Sequence, residues 1–323
     1  MLRLALVGCG EHSRGSHAAP LKRYADNHPG QIELVAACDL DLDRANQFCR
    51  EFSFKRAYSE LEEMLAAEEL DGCACIMPVD RIVDVGTLLL RKQIPCVIEK
   101  PLGVSLQQAE LLAQVARETG TPHMVSVNRR FIPYLNQAKR WAQAAGQVQF
   151  LRATQTRHAR SEDDFIWSTA IHPVDAVRYL AGEIANFKTL MHSGNDLSTM
   201  WYRIQLEFQS GVQGVVEVFP TAGMVEESYE LFGENFRARM VAGSGVQRTL
   251  QCWCKGQLEV NEVTSEAEPE DLRNGSYEEV IEFVDALRND RFPKPTVEDI
   301  LPSARICFSI ADSLKSARVD SVS

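Results

Sequence analysis

The sequence has no long hydrophobic run, no internal repeat, no low-complexity segment and no surplus of basic residues. No stretch approaches the roughly 20 apolar residues of a membrane-spanning helix, so we expect no membrane association. Nucleic-acid binding requires a clustered basic face, and the formal net charge of −11 argues against one. The sequence therefore predicts a globular protein whose partners include neither nucleic acid nor a membrane.

Nine cysteines are present, but none belongs to a Cys-x-x-Cys motif or to a cluster with histidine. The two Cys-x-Cys pairs begin at Cys73 and Cys252. Metal sites of the usual kinds need more ligands than such a pair supplies, so we predict no metal site. The apolar stretch before Cys9, residues 4–7, is too short for a signal peptide. We expect buried, reduced thiols and a cytoplasmic protein.

The chain length of 323 residues exceeds what one hydrophobic core usually supports, so we expect two domains. In the first third, strand-like segments that are apolar throughout alternate with helix-like segments. Such strands are typical of a parallel sheet that is covered on both faces. The pattern predicts a doubly wound α/β domain over residues 1–122, with strand candidates in LRLALVG, QIELVAACD, GCACIM, IPCVIEK and HMVSV.

Capping residues mark the ends of two of the predicted helices. Ser59 with Glu62, and Ser105 with Gln108, have the spacing of a capping box at a helix N-terminus. Gly120 stands where a helix would stop, since glycine readily adopts the left-handed conformation of a C-terminal cap.

Residues 123–323 have a different pattern. Alternating strands over residues 199–254, separated by glycine turns, favour an α+β domain with a large, mostly antiparallel open sheet. Two helices end the chain, SYEEVIEFVDALRN and the stretch from Ile300 to Ala317. An apolar sheet face rarely stays exposed to water, so we expect a homodimer or homotetramer through the uncovered face.

The loop GCGEHSRGSH lies between the first strand and the first helix, where a dinucleotide fingerprint belongs. Gly8 permits a sharp turn, and Gly10 lets backbone approach a pyrophosphate. Ser13 occupies the place of the third glycine. Asp39 ends the second strand, where a carboxylate binds the ribose hydroxyls of NAD and repels the extra phosphate of NADP. A plain tight turn and a helix cap at Asp39 are the alternatives.

Lys100 ends the strand CVIE, and ligands of open α/β sheets bind beyond the carboxyl ends of the strands. Pro101 keeps Lys100 out of the helical conformation, so we expect its side chain to face the nicotinamide end of a cofactor. A surface lysine paired with Glu99 is the alternative.

His172 lies in IHPVDAVRYL, and Pro173 is tolerated only in the first turn of a helix. The helix should therefore begin near His172 and place Asp175 on the same face. A helix N-terminus favours the neutral imidazole, which can accept a proton. A capping histidine beside an acidic residue is the alternative.

Taken together, the glycine loop, Asp39, EKPLG at residues 99–103, VNRRF at 127–131 and IHPVDAVRYL resemble the Gfo/Idh/MocA family of sugar and cyclitol dehydrogenases. The resemblance extends over essentially the whole chain. It implies a Rossmann domain, then an α/β domain whose open sheet mediates oligomers. It also implies a cis bond between Lys100 and Pro101.

The resemblance implies roles for particular residues. His172 would take the hydroxyl proton as hydride leaves for the cofactor, while Lys100 polarises and orients the oxygen. The residues implied to bind substrate are Asn128, Arg129, Ser168 and Asp175, and those implied to bind NAD, with NADP as the alternative, are Gly8, Gly10, Glu11, His12, Ser13, Asp39, Pro78, Glu99 and Lys100.

The chain departs from the family pattern at three positions. Ser168 stands where many of these dehydrogenases carry aspartate, and Val79 and Ile82 replace an asparagine and a histidine. These changes favour a substrate other than a standard inositol or glucose. Two alternatives to a polyol dehydrogenase follow: a non-catalytic dinucleotide-binding regulator, and a reductase of an imine or keto sugar on a carrier or nucleotide, read by the polar loop 157–164.

Overall fold

The computed structural model describes residues 1–193, 200–265 and 267–320, and the chain forms two compact units. Unit 1 comprises Met1–Asn128 and Glu270–Ala304, and unit 2 comprises Arg129–Pro269 and Arg305–Ser323. Among the described residues, no helix is long and apolar enough to cross a membrane. All nine cysteines are free thiols; seven are buried, whereas Cys49 and Cys254 are partly exposed, unlike the sequence prediction.

Unit 1 contains a six-stranded, wholly parallel sheet in the order β3-β2-β1-β4-β5-β6. Residues Leu4 to Val7 of the first strand are all buried, because helices cover both faces of the sheet. The strand order reverses between β1 and β4, which places a ligand crevice at their carboxyl ends. The predicted doubly wound fold is confirmed, with β1 Leu2–Val7, β2 Ile32–Cys38, β3 Arg56–Tyr58, β4 Gly72–Cys75, β5 Cys96–Glu99 and β6 His123–Ser126.

The helices of unit 1 alternate with these strands. They are α1 Glu11–Ser13, a π-helical turn Arg14–Ala18, α2 Ala19–Asn27, α3 Leu42–Phe52, α4 Leu61–Ala67, α5 Ile82–Arg91 and α6 Leu106–Thr119. The caps of α6 are confirmed: the Ser105 hydroxyl accepts from the Gln108 N–H at 3.3 Å, and Gly120 has φ 60°. The predicted capping box at Ser59 is wrong. The N-cap of α4 is Glu60, so Ser59 lies one residue before the cap.

The segment after residue 269 returns to unit 1 as α10 Glu270–Arg273 and α11 Ser276–Arg288. There Arg23 Nε donates to Asp271 at 2.6 Å, and α11 packs along α2. Strand β6 also belongs to this unit, because it pairs with β5. The contacts therefore divide the chain differently from the sequence-based boundary at residue 122, since an edge strand needs its neighbour's hydrogen bonds.

Unit 2 contains an eight-stranded sheet in the order β14-β13-β12-β11-β7-β10-β9-β8, antiparallel except where β7 pairs with β10. This confirms the predicted second sheet. Its outermost strands, β8 and β14, have no counterpart in the sequence prediction. Strand β14 is exposed along most of its length and lacks an alternating pattern. The strands are β7 Val148–Thr156, β8 Ile184–Ser193, β9 Met200–Phe208, β10 Gln213–Phe219, β11 Glu226–Gly233, β12 Phe236–Ala242, β13 Thr249–Cys254 and β14 Gln257–Val263.

Helices α7 Pro133–Ala145 and α9 Ile171–Ala181 pack against one face of this sheet, and α8 Phe165–Ser168 precedes α9. The last helix, α12 Val297–Asp320, begins in unit 1 and ends in unit 2. The other face of the sheet mixes aromatic with charged side chains, such as Phe150 beside Arg152, whose partner is Glu217. This face is therefore less apolar than the sequence prediction assumed.

Candidate active site

The glycine loop makes a turn that only glycine can occupy at its first position. Gly8 has φ +92°, and a Cβ atom there would lie 1.9 Å from the carbonyl oxygen of Ile76. Gly10 is the N-cap of α1, and a Cβ atom there would meet nothing within 4 Å. The backbone at Gly10 therefore faces open space, as a loop that receives a pyrophosphate requires. Ser13, in the place of the third glycine, is buried.

Asp39 follows β2 and reaches across to the glycine loop. Its Oδ2 accepts from the Cys9 N–H at 2.8 Å, and its Oδ1 accepts from the Asp41 N–H at 2.9 Å. The alternative that Asp39 caps the next helix is excluded, because Asp41 is the N-cap of α3. The Arg44 guanidinium lies 3.4 Å from Asp39 Oδ1. Carboxylate, loop and open backbone together fit a bound dinucleotide.

Glu99 ends β5 and is the centre of a buried polar cluster. His17 Nε2 lies 3.0 Å from its Oε2, and His12 Nε2 lies 3.3 Å from its Oε1. Burial alone would raise the pKa of Glu99, but the hydrogen bond and charge of His12, the hydrogen bond of His17 and the charge of Lys100 hold it well below its usual range. Glu99 is therefore a carboxylate at neutral pH. His17 comes from the π-helical turn and was not among the predicted site residues.

Lys100 follows Glu99 directly, and its Nζ lies 3.9 Å from Glu99 Oε1. Its side chain is 18% exposed, so it is not an ordinary surface lysine. The Lys100–Pro101 bond is cis, as the resemblance implies. The remaining predicted cofactor residues, Glu11 and Pro78, are exposed and follow β1 and β4. Unit 1 thus brings the predicted cofactor residues to the carboxyl edge of its sheet.

Asn128 is the last residue of the N-terminal segment of unit 1. Its Nδ2 donates to the carbonyl oxygen of Asn274 at 3.0 Å, which ties β6 to the returning segment. Its side chain is half-buried. The other predicted substrate residues, Arg129, Ser168 and Asp175, belong to unit 2 with His172.

His172 is the second residue of α9 and is 7% exposed. The predicted helix start is confirmed, with Pro173 in the first turn. Asp175, three residues on, is 1% exposed and accepts two bonds from the guanidinium of Arg130, at 2.7 and 2.8 Å. Ser168 ends α8, and its hydroxyl lies 3.5 Å from that of Thr169.

Another buried carboxylate, Glu227 on β11, was missed by the sequence analysis. Arg129 donates to it at 2.5 and 3.0 Å, Tyr229 donates at 2.9 Å, and Arg157 and Gln155 donate as well. Burial would raise the pKa of Glu227, but the positive charges of Arg129, Arg157 and His172 and the hydrogen bond from Arg129 hold it well below its usual range. Burial raises the pKa of Tyr229.

One signal for Glu227 was available in the sequence. In EESYELFG, Glu227 has the same parity as Tyr229 and Leu231, so it shares their face of the strand. A charged residue on a buried strand face needs a partner. The two arginines that supply it come from distant parts of the chain, which no local pattern connects.

Three comparisons with known proteins bear on this site. Residues 2–128 match the family model described as an oxidoreductase family with an NAD-binding Rossmann fold. The chain is 27% identical to D-apiose dehydrogenase of Paraburkholderia graminis, covering 80% of this chain and 69% of that protein. It is 25% identical to the scyllo-inositol 2-dehydrogenase (NAD(+)) of Bacillus subtilis, covering 76% and 72%.

Among solved structures, a Gfo/Idh/MocA family oxidoreductase from Vibrio cholerae superposes with a TM-score of 0.84 at 20% identity, covering 99% of this chain and 100% of that one. At this identity the likeness shows the fold. The family match covers the glycine loop, Asp39, Glu99 and Lys100, all of which lie within residues 2–128. By that match residues 2–128 are similar to the NAD-binding Rossmann domain of the Gfo/Idh/MocA oxidoreductases.

Proposed function

We propose that the protein is an NAD(P)-dependent dehydrogenase that moves a hydride between the nicotinamide and a secondary alcohol or ketone of a sugar, cyclitol or related polyol. The observation that carries the proposal is Lys100, which is poorly exposed beside the anionic Glu99 at the carboxyl edge of a dinucleotide-binding sheet. The D-apiose and inositol dehydrogenases among its relatives support the substrate class.

In this proposal Lys100 polarises the substrate oxygen. Its ammonium group is a compact charge with three donors, well suited to an oxygen that gains negative charge as its proton leaves. Glu99 neighbours the same ammonium group at 3.9 Å and restrains it. The bound nicotinamide accepts or supplies the hydride.

His172 is proposed as the general acid and base. It takes the hydroxyl proton during oxidation and returns it during reduction. Its place in the first turn of α9, with Pro173 next to it, restricts where the ring can point. The ionised Glu227 interacts favourably with positive charge on His172, and so favours the form that has taken up the proton.

We assign substrate contacts to Asn128, Arg129 and Ser168. Ser168 can hold a substrate hydroxyl by hydrogen bonding but cannot act as a carboxylate base. Asp175 is proposed to steady the site, because both of its oxygens accept from Arg130. The substitution Ser168→Asp should be tolerated and should extend the substrate range toward ordinary inositols.

The cofactor preference, the assembly and the location complete the proposal. Asp39 favours NAD over NADP, since it would repel the extra phosphate. The open face of the eight-stranded sheet forms a homodimer, or a tetramer of such dimers, and the exposed Phe150 and Trp201 support this. Sedimentation as a monomer at micromolar concentration would contradict it. We place the protein in the cytoplasm, in keeping with its free thiols.

A non-catalytic dinucleotide-binding regulator is the second candidate, and Ser168 in place of aspartate is the observation that favours it. The two candidates differ in turnover. We expect wild-type protein to reduce NAD with at least one member of a panel of pentoses, cyclitols and sugar acids, and Lys100→Met to lose about a hundred- to ten-thousand-fold in kcat. A titration of both proteins with NAD is the control, because it separates a loss of chemistry from a loss of cofactor binding. Absence of turnover across the panel, with NAD bound, would favour the regulator.

A further inference from the structure

Three side chains of unit 1 converge on one point at the edge of the sheet. His12 comes from α1, His17 from the π-helical turn, and Glu99 from the end of β5. One ligand-type atom of each lies within 4.8 Å of the others. We propose that His12, His17 and Glu99 form a binding site for one divalent transition-metal ion of the Zn²⁺ class. The sequence predicts no metal site because these three residues form no local motif.

The spacing of the three donor atoms suits coordination. Zn²⁺ binds imidazole nitrogen and carboxylate oxygen at about 2.0–2.2 Å, so two ligand atoms of a tetrahedral site lie about 3.4 Å apart. His17 Nε2 lies 3.0 Å from Glu99 Oε2, His12 Nε2 lies 3.3 Å from Glu99 Oε1, and one donor atom of each residue lies within 4.8 Å of the others. The two imidazole planes cross at 76°, so the rings do not stack and each nitrogen can face the ion separately. Small movements therefore complete the site.

The chemistry of the donors selects the metal. Two imidazole nitrogens and one carboxylate oxygen match the three protein ligands of zinc sites that keep a position open. Such donors favour Zn²⁺, Co²⁺ and Ni²⁺ over Mg²⁺ and Ca²⁺, which prefer oxygen. The open fourth position would take water or an oxygen of a small ligand.

The three side chains differ in exposure, so that two ligands are held rigidly and the third lets the ion reach the site. The His17 side chain is 6% exposed and that of Glu99 is 7%, so packing holds these two ligands. The His12 side chain is 56% exposed and gives the ion a path from solvent. His12 can also be replaced without creating a cavity, which makes it the residue to test.

Lys100 provides a second, independent test of the location. Its ammonium group lies 3.9 Å from the same Glu99 oxygen that faces His12. A positive charge at that distance opposes a second cation. Removing the charge in Lys100→Met should therefore tighten metal binding several-fold.

The experiment is a titration of tag-free, chelator-treated protein with Co²⁺, followed by its visible absorption and by calorimetry. Wild type should bind one equivalent and give the intense bands of low-coordinate Co²⁺. Loss of an outer partner of a metal ligand already costs about 10–100-fold in affinity, so His12→Ala should lose at least about 100-fold. The control is His28→Ala, which removes a histidine that packs on Tyr24 elsewhere in unit 1.

Three results would overturn the proposal: no Co²⁺ band in the wild type, unchanged affinity in His12→Ala, or an equal loss in His28→Ala. Weaker binding in Lys100→Met would place the ion elsewhere and also contradict it. The titration needs no turnover. Its failure therefore leaves the dehydrogenase proposal standing, and NAD-dependent oxidation in the presence of chelator tests that proposal separately.

Discussion

Glu99 in unit 1 and Glu227 in unit 2 are buried glutamates whose pKa lies well below its usual range, but their surroundings differ. In unit 1, Glu99 contacts two histidines and lies beside a lysine. In unit 2, Glu227 accepts from two arginines. Imidazoles exchange protons near neutral pH and guanidiniums do not. The groups around Glu99 in unit 1 can therefore change their charge when a ligand binds, whereas the arginines around Glu227 in unit 2 keep a fixed charge near His172.

We expect the greatest loss of activity from replacing His172, the proposed general base of unit 2. His172→Ala should lower kcat by about a hundred- to ten-thousand-fold, because the hydroxyl proton loses its acceptor. The affinity for NAD should be unchanged, since the predicted cofactor residues belong to unit 1. Steady-state kinetics and a binding titration measure the two quantities, with His28→Ala as the control. An equal loss of NAD affinity would show that the division of roles between the units is wrong.

The next effect tests the fixed charge of unit 2. Glu227→Gln leaves two buried arginines without their anion, and breaking a buried ion pair costs about 3–5 kcal/mol in unfolding free energy. The control is Glu162→Gln, because Glu162 and its partner Arg160 are both partly exposed and their pair should contribute about 0–1 kcal/mol. Denaturant titrations measure both. Similar losses in the two variants would contradict the comparison.

The same variant has a defined pH dependence. The pKa of Glu227 is lower in the folded than in the unfolded protein, so its ionisation stabilises the fold above the unfolded pKa of about 4.3. That stability is lost as the pH falls from there through the folded pKa. The difference between wild type and Glu227→Gln should therefore be constant near neutrality and shrink below about pH 4. A stability difference that grows as the pH falls would contradict the lowered pKa of Glu227 in the folded protein.

Part of unit 1 could be predicted from the sequence alone. In unit 1 the residues proposed to bind the cofactor follow strand ends, so Gly8, Asp39 and Lys100 could be located from the apolar runs before them. Gly8 is the clearest case, because its positive φ and its approach to Ile76 both require glycine. His17 was missed, since it lies inside a helical turn whose position depends on long-range packing with Glu99.

In unit 2, local patterns identified the central strands and the start of α9, but not what surrounds His172. The Glu227 network joins residues up to 98 positions apart in sequence, and no helical or strand period relates them. The edge strand β14 was missed for a related reason, since it is exposed along most of its length and does not show the alternation that marks a half-buried strand. Local periodicity therefore predicted the sheets, and long-range contacts determined the site.

Two glycines of unit 1 differ in what an added side chain would meet. Gly8 and Gly30 both have positive φ, but only at Gly8 would a Cβ atom collide with backbone. Gly30→Ala should cost about 1–2 kcal/mol in unfolding free energy from the left-handed conformation alone. Gly8→Ala should cost about 1–3 kcal/mol more from overpacking, and should weaken NAD binding. Thermal unfolding with and without NAD measures both, and equal costs would mean that the loop accommodates the methyl group.

The smallest expected effect concerns cofactor choice in unit 1. Asp39→Asn should weaken NAD binding by about ten- to a hundredfold, the range expected for a hydrogen bond to a charged group, and should narrow the preference over NADP. Asp41→Asn is the control, because Asp41 caps α3 and should affect stability alone. Calorimetric titration of both cofactors checks this. Tighter binding of NADP than of NAD by the wild type would mean that Arg44 binds the extra phosphate of NADP instead.

We propose that Lys100 and His172 act on one reacting carbon, and a double-mutant cycle is the sharpest test of that proposal. The measurement is kcat/KM of wild type, Lys100→Met, His172→Ala and the double variant on one substrate. Groups that stabilise the same transition state are strongly non-additive, so the double variant should lose far less than the product of the two single losses. A loss equal to that product would mean that the two residues act independently, and would contradict the account.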